Sequence, residues 1–114
     1  DLNCVSNSVE GFLSAATTDG IGGDALNFGF GQEISIGDLA KKIIALTGSD
    51  ATVVSEEKRL RPGRSEVERL LADNSLAKSK TGWEPIVGLD EGLQLTIDWM
   101  RKNLNAYRVG EYMV

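Results

Sequence analysis

Apolar residues recur three and four positions apart in three stretches of this chain, and each stretch predicts a helix. Val9, Phe12, Leu13 and Ala16 form the first stripe, with Ser6, Asn7 and Ser8 as N-cap candidates before it. Ile36, Leu39, Ala40, Ile43, Ile44 and Leu46 form the second. Ser35 followed by Asp38 reads as a capping box at its start, and Gly48 as its C-terminal stop. Leu89, Leu93, Ile97 and Met100 form the third, extended by Trp99 and Leu104, so a long helix is expected over about Leu89–Asn103. A shorter helix over Leu76–Lys80 would follow the caps Asp73, Asn74 and Ser75 and stop at Gly82.

Between these helices lie short apolar or β-branched runs. Asp1–Val5, Ala25–Gly29, Glu33–Ser35, Ala51–Val54 and Val67–Leu71 read as short strands. The expectation is one small α/β (α+β-like) domain over residues 1–114, with three or four helices and short strands. The tail from Asn105 to Val114 carries Tyr107 and Tyr112 without a clear period.

Composition narrows the chemistry. At 114 residues, 41% hydrophobic and 25% charged, the chain has the make-up of a soluble globular domain. No apolar run approaches the roughly 18 residues that a membrane span needs. The polar start predicts no secretory leader, and the single Cys fits a reducing cytoplasm. With no His and one Cys, no zinc site is expected, and Ser-His or Cys-His catalysis is excluded. A net charge of −5 argues against general nucleic-acid binding. Cys4 follows no activating pattern and reads as a buried, inert thiol. Trp83 and Trp99 read as core or hinge residues. Asp90 and Glu91 read as complements of a helix dipole rather than as acid–base catalysts.

Against this acidic background, Lys58-Arg59-Leu60-Arg61-Pro62-Gly63-Arg64-Ser65-Glu66-Val67-Glu68-Arg69 gathers five of the twelve basic side chains. Pro62-Gly63 breaks regular structure, so Arg61 and Arg64 flank a turn. Guanidinium groups on a fixed turn suit a phosphate, through bidentate charge-assisted hydrogen bonds. The competing reading is a solvated loop paired with Glu56, Glu57, Glu66 or Glu68. Gly29-Phe30-Gly31 and Gly20–Gly23 are neither a dinucleotide fingerprint nor a Walker motif and read as turns. Still, Gly29–Ser35 leads towards a helix N-terminus, and its glycines would let the backbone approach a ligand.

Several segments together carry a resemblance. Asn27-Phe28-Gly29-Phe30-Gly31-Gln32-Glu33-Ile34-Ser35-Ile36 resembles the "N-I-G-S-G-x-E-x-S-I" stretch of NAD-dependent sugar-nucleotide epimerases and dehydratases, the extended short-chain dehydrogenase/reductases. Arg61-Pro62-Gly63 with Ala72-Asp73-Asn74-Ser75-Leu76-Ala77-Lys78 is similar to their "R-P-G … A-D-x-S-K-A-K". Thr81-Gly82-Trp83-Glu84-Pro85 resembles "L-G-W-x-P", and Glu91-Gly92-Leu93 with Thr96-Ile97-Asp98-Trp99 resembles "E-G-L-x-x-T-I-x-W". Asp1–Phe12 is similar to "D-F-x-Y-V-D-D-T-V-x-G-F". The run Ser65–Arg69 and the Tyr107…Tyr112 tail resemble most the UDP-N-acetylglucosamine 4,6-dehydratase-type members of surface-sugar pathways.

The resemblance implies the C-terminal, substrate-binding subdomain of such an enzyme, without the Rossmann half that holds NAD and the Tyr-x-x-x-Lys chemistry. It implies nucleotide-sugar binding by Arg61 on the diphosphate and by Gln32 in the loop near the base. Arg64 and Glu66 would lie near phosphate and ribose, with Glu66 accepting from the ribose hydroxyls. No catalytic, metal or cofactor residue is implied within this chain; NAD is implied for a full-length relative. The implied partners are a nucleotide-sugar and either a Rossmann NAD-binding domain or a second copy, in the cytoplasm. The family's Arg before the position of Asp1 falls outside this chain, Ser6-Asn7 replaces a frequent Asp-Asp, and Phe30 replaces a small residue. The other reading is a free-standing, self-associating interaction domain that has lost its ligand.

Overall fold

A computed structural model describes residues 1–55 and 69–107. The described elements are α1 (Val5–Thr17), α2 (Ile36–Thr47), α3 (Ser75–Thr81) and α4 (Leu89–Lys102), followed by a 3-10 turn, Leu104–Ala106. The four expected helices are therefore present, and α4 ends one residue short of its expected Asn103, which caps it.

Capping chemistry explains where α2 starts and where α2 and α3 stop. Ser35 Oγ accepts from the Asp38 N–H at 3.0 Å and donates to the Asp38 carboxylate at 2.8 Å. This completes the predicted box in variant form, because the short Asp side chain meets the Ser hydroxyl rather than its main chain. Gly48, at φ 65°, turns left-handed beyond α2, and the Ser49 N–H closes back onto Ile44 O at 3.2 Å. Gly82, at φ 71°, ends α3 in the same hand.

α1 departs from expectation. It begins at Val5 with Cys4 as a cap residue whose side chain makes no capping hydrogen bond to the helix backbone, so Ser6, Asn7 and Ser8 lie inside the helix. Its buried positions are Asn7 and Gly11, not the apolar stripe. Phe12 is 72% exposed, and Val5, Val9 and Leu13 are exposed with it. The reason is contact distance. A Cβ on Gly11 would sit 2.6 Å from the Phe28 ring, so only glycine lets Phe28 lie this close to the helix. The small and polar face of α1 is thereby turned inward.

The core centres on Ala77, Trp83 and Ile97. Phe28 meets Trp83 edge-on, with ring centroids 5.0 Å apart. α2 and α4 are joined at both ends. Lys42 pairs with Asp90 at 2.7 Å, and Arg101 donates to Thr47 O at the C-terminus of α2, at 3.3 Å. Trp99 is half-exposed and packs edge-on against Tyr107 at 6.2 Å, so of the two expectations, core or hinge, it does not meet the first.

The segments 25–29, 33–35 and 51–54 form no strand ladder among the described residues. Side chains satisfy much of the backbone that a ladder would have used around Phe28–Gly31. Asn3 Nδ2 donates to Phe28 O at 2.9 Å, and Asn74 Nδ2 donates to Gly29 O at 2.9 Å. The N–H groups of Phe30 and Gly31 donate to the Asp1 carboxylate. These main-chain groups therefore have partners without a neighbouring strand.

Candidate functional site

The loop Gly29–Ser35 is the centre of the candidate site. The Asp1 carboxylate accepts three backbone N–H groups, from Phe30 at 3.0 Å, Gly31 at 2.9 Å and Ala72 at 3.1 Å. Asp1 thus clamps this loop to the segment that leads into α3. The approach is close enough to demand glycine at position 29. A Cβ there would collide with Ala72 Cβ and lie 2.9 Å from the Asp1 carboxylate. Gly31, at φ 78°, then turns the chain left-handed.

On the far side of Gln32, Glu33 is held by Arg69. The guanidinium donates from Nε at 2.8 Å and from Nη2 at 2.5 Å, one bond to each carboxylate oxygen. These hydrogen bonds hold the Glu33 carboxyl below its ordinary range and raise Arg69 further. Arg69 therefore pairs with Glu33, 36 positions away; the local carboxylates Glu56, Glu57, Glu66 and Glu68 lie outside the described residues. Gln32 stands exposed between the two anchors.

Two clefts flank this framework, and both are lined by Asp1 and Leu70. One, of about 810 Å³, is bounded by Asn27, Phe28, Gly29 and Asp73. The other, of about 420 Å³, is bounded by Glu33, Ser35 and Arg69. Asp73 is also held below the ordinary carboxylate range, by the Ser75 hydroxyl and then its N–H.

Of the sequence-predicted site residues, Gln32 lies on the loop as described. Arg61, Arg64 and Glu66 lie outside the described residues. The sequence reading missed the roles of Asp1, Asn74, Glu33 and Arg69. Their residue types are visible in the sequence, but their pairing spans 29 to 71 positions and leaves no local period. Cys4 is half-buried rather than buried. It accepts from the Ser6 hydroxyl at 3.3 Å and borders a separate cleft of about 210 Å³ beside Gly92. Asp90 stands in the first turn of α4, as a dipole complement should, and also pairs with Lys42.

Among the described residues, no group of three or more His, Cys, Asp or Glu is placed to hold a metal ion. No helix among them is long and apolar enough to cross a membrane. The loop offers exposed amide and carboxylate groups beside an open cleft.

No protein-family model matches the chain. It is similar to UDP-glucuronic acid decarboxylase 1 of Xenopus tropicalis, 35% identical over 77% of this chain and 20% of that protein. It is 32% identical to UDP-glucose 4-epimerase of Mycolicibacterium smegmatis, over 89% of this chain and 31% of that protein. It is 31% identical to dTDP-D-glucose 4,6-dehydratase of Mus musculus, over 90% of this chain and 29% of that protein. Among solved structures it matches the Bordetella bronchiseptica enzyme WbmF in complex with NAD+ and UDP. That match has a TM-score of 0.69 and 30% identity, and covers 90% of this chain and 29% of that one. The chain therefore spans under a third of the length of these relatives. The homologues are epimerases, a decarboxylase and a dehydratase of nucleotide-linked sugars, the kind of enzyme the sequence motifs resemble.

Proposed function

We propose that this chain is the nucleotide-sugar-binding portion of an NAD-dependent epimerase or 4,6-dehydratase, inactive by itself. The observation that carries the proposal is the loop Gly29–Ser35. It is pinned at Phe30 and Gly31 by Asp1 and at Glu33 by Arg69, it exposes Gln32 to solvent, and its Gly29 and Glu33 line the two clefts. A loop held this way loses little freedom on binding, and that favours affinity. Similarity to an enzyme solved with UDP supports a nucleotide as the ligand, with UDP the first to try.

In this reading Arg61 contacts the diphosphate and Arg64 lies near it. Glu66 accepts from the ribose hydroxyls, and Gln32 faces the base. No residue of this chain is assigned to NAD. The sugar would be a UDP-N-acetylglucosamine-like hexose, as the run Ser65–Arg69 resembles. The chemistry supplied by NAD+ on a separate half would be hydride removal at C4, with loss of water and return of the hydride. The setting would be cell-surface polysaccharide synthesis in the cytoplasm.

Calorimetric titration with UDP and with UDP-N-acetylglucosamine tests the reading. Binding should appear with both, and Arg61→Ala should weaken it by about tenfold or more, the worth of one charge-assisted contact. Absence of heat with either nucleotide, or unchanged binding by Arg61→Ala, would remove the proposal.

The exposed apolar stripe of α1 favours a second reading, a self-associating interaction domain without ligand. The same stripe would serve the first reading by covering itself against an NAD-binding half. Sedimentation separates the two. A dimer that Phe12→Glu dissolves, in a chain that takes up no nucleotide, would favour self-association.

A further inference from the structure

The geometry points to Arg69 as a positioning residue: its fork on Glu33 fixes the orientation of the Gln32 loop for nucleotide recognition. This rests on the nucleotide-binding reading above. Gln32 sits between two anchors of different kinds. Upstream, the Asp1 carboxylate holds the N–H groups of Phe30 and Gly31. Downstream, the hold on Glu33 comes from Arg69, by two parallel hydrogen bonds that fix direction as well as distance. Without Arg69, no other hydrogen bond among the described residues would hold the loop between Gly31 and Ser35, which caps α2. Gln32 would then swing about Gly31, whose left-handed φ marks a pivot.

The pair is poorly explained as a stability device. The Arg69 side chain is 76% exposed, and exposed ion pairs contribute little to folding. A bidentate pair between segments distant in sequence serves geometry better. It also borders the cleft of about 420 Å³ directly, so the loop it holds is part of the cleft wall.

A charge swap tests the proposal. UDP is titrated calorimetrically into the full chain as wild type, Arg69→Glu, Glu33→Arg and the double variant Glu33→Arg/Arg69→Glu, with thermal melts in parallel. Each single change should raise the Kd by about tenfold while the melting temperature hardly moves, and the double variant should recover to within about threefold of wild type. Single variants that bind like wild type, or a double variant as weak as the singles, would overturn the role of Arg69. If the wild type itself takes up no UDP, the nucleotide reading fails instead. The positioning role is then decided by amide hydrogen exchange at Phe30 and Gly31 in the same four proteins. Exchange faster by about fivefold in the singles and restored in the double supports it; uniform exchange overturns it.

Discussion

The indole Nε1 of Trp83 donates to the main-chain carbonyl of Asn7 at 3.0 Å, joining two residues 76 positions apart. The Asn7 side chain completes the junction. Its Oδ1 accepts from Ile86 N at 3.1 Å and Val87 N at 3.0 Å. Its Nδ2 donates to Asn3 Oδ1 at 3.0 Å and Val87 O at 2.9 Å. Every donor and acceptor position of the amide is used, at a residue only 1% exposed.

Asn7→Ala should therefore be among the most damaging single changes in the chain. It would remove the side-chain partner of the N–H groups of Ile86 and Val87 and of the Val87 carbonyl, in a partly buried setting. The expected loss is about 2–4 kcal/mol, read as a shift of the urea midpoint with unchanged slope. A loss below about 0.5 kcal/mol would show that water replaces the amide freely.

Gly11 and Gly22 form a matched pair for a second measurement. A Cβ at Gly11 meets the Phe28 ring at 2.6 Å, whereas one at Gly22 meets nothing within 4 Å. Gly11→Ala should displace Phe28 from Trp83 and cost about 1–3 kcal/mol. Gly22→Ala should be neutral or slightly stabilising, since alanine narrows the unfolded ensemble. Trp83 fluorescence reports the displacement, and equal effects of the two changes would contradict the packing described.

The Glu33–Arg69 pair carries a pH signature. The folded pKa of Glu33 lies below its unfolded value, chiefly through the Arg69 hydrogen bonds. Its contribution is therefore present above about pH 4.3, the ordinary glutamate value, and is lost as pH falls through the folded pKa. Carboxyl-carbon NMR should place the Glu33 midpoint below the ordinary value in wild type and return it there in Arg69→Met. Coincident titration curves would show that the pair does not persist in solution.

Helices were the legible part of this fold. Ile36 to Leu46 and Leu89 to Met100 carry their own period, and Ser35, Gly48 and Gly82 carry their own caps, so local spacing suffices for α2, α3 and α4. Of the candidate loop, the sequence marked Gln32 and the glycines around it. Asp1, Glu33, Arg69 and Asn74 are ordinary polar residues until the chain folds them together, because a pairing across tens of positions has no sequence period. The orientation of α1 was not legible for a related reason. Its stripe Val9, Phe12, Leu13 is helical as expected, yet periodicity cannot say which face meets Phe28.

By itself the sequence determined the helical segments, the caps at Ser35, Gly48 and Gly82, the absence of histidine chemistry and the motif set shared with nucleotide-sugar enzymes. Those depend on residue identity and on neighbours within a turn or two. Tertiary structure alone decided that Asn7 is buried, that Phe12 is exposed, and that Asp1 and Arg69 hold the Gln32 loop from both sides. Each is a contact between residues distant along the chain. It exists only when close packing, such as Phe28 over Gly11, brings their polar groups within hydrogen-bond reach.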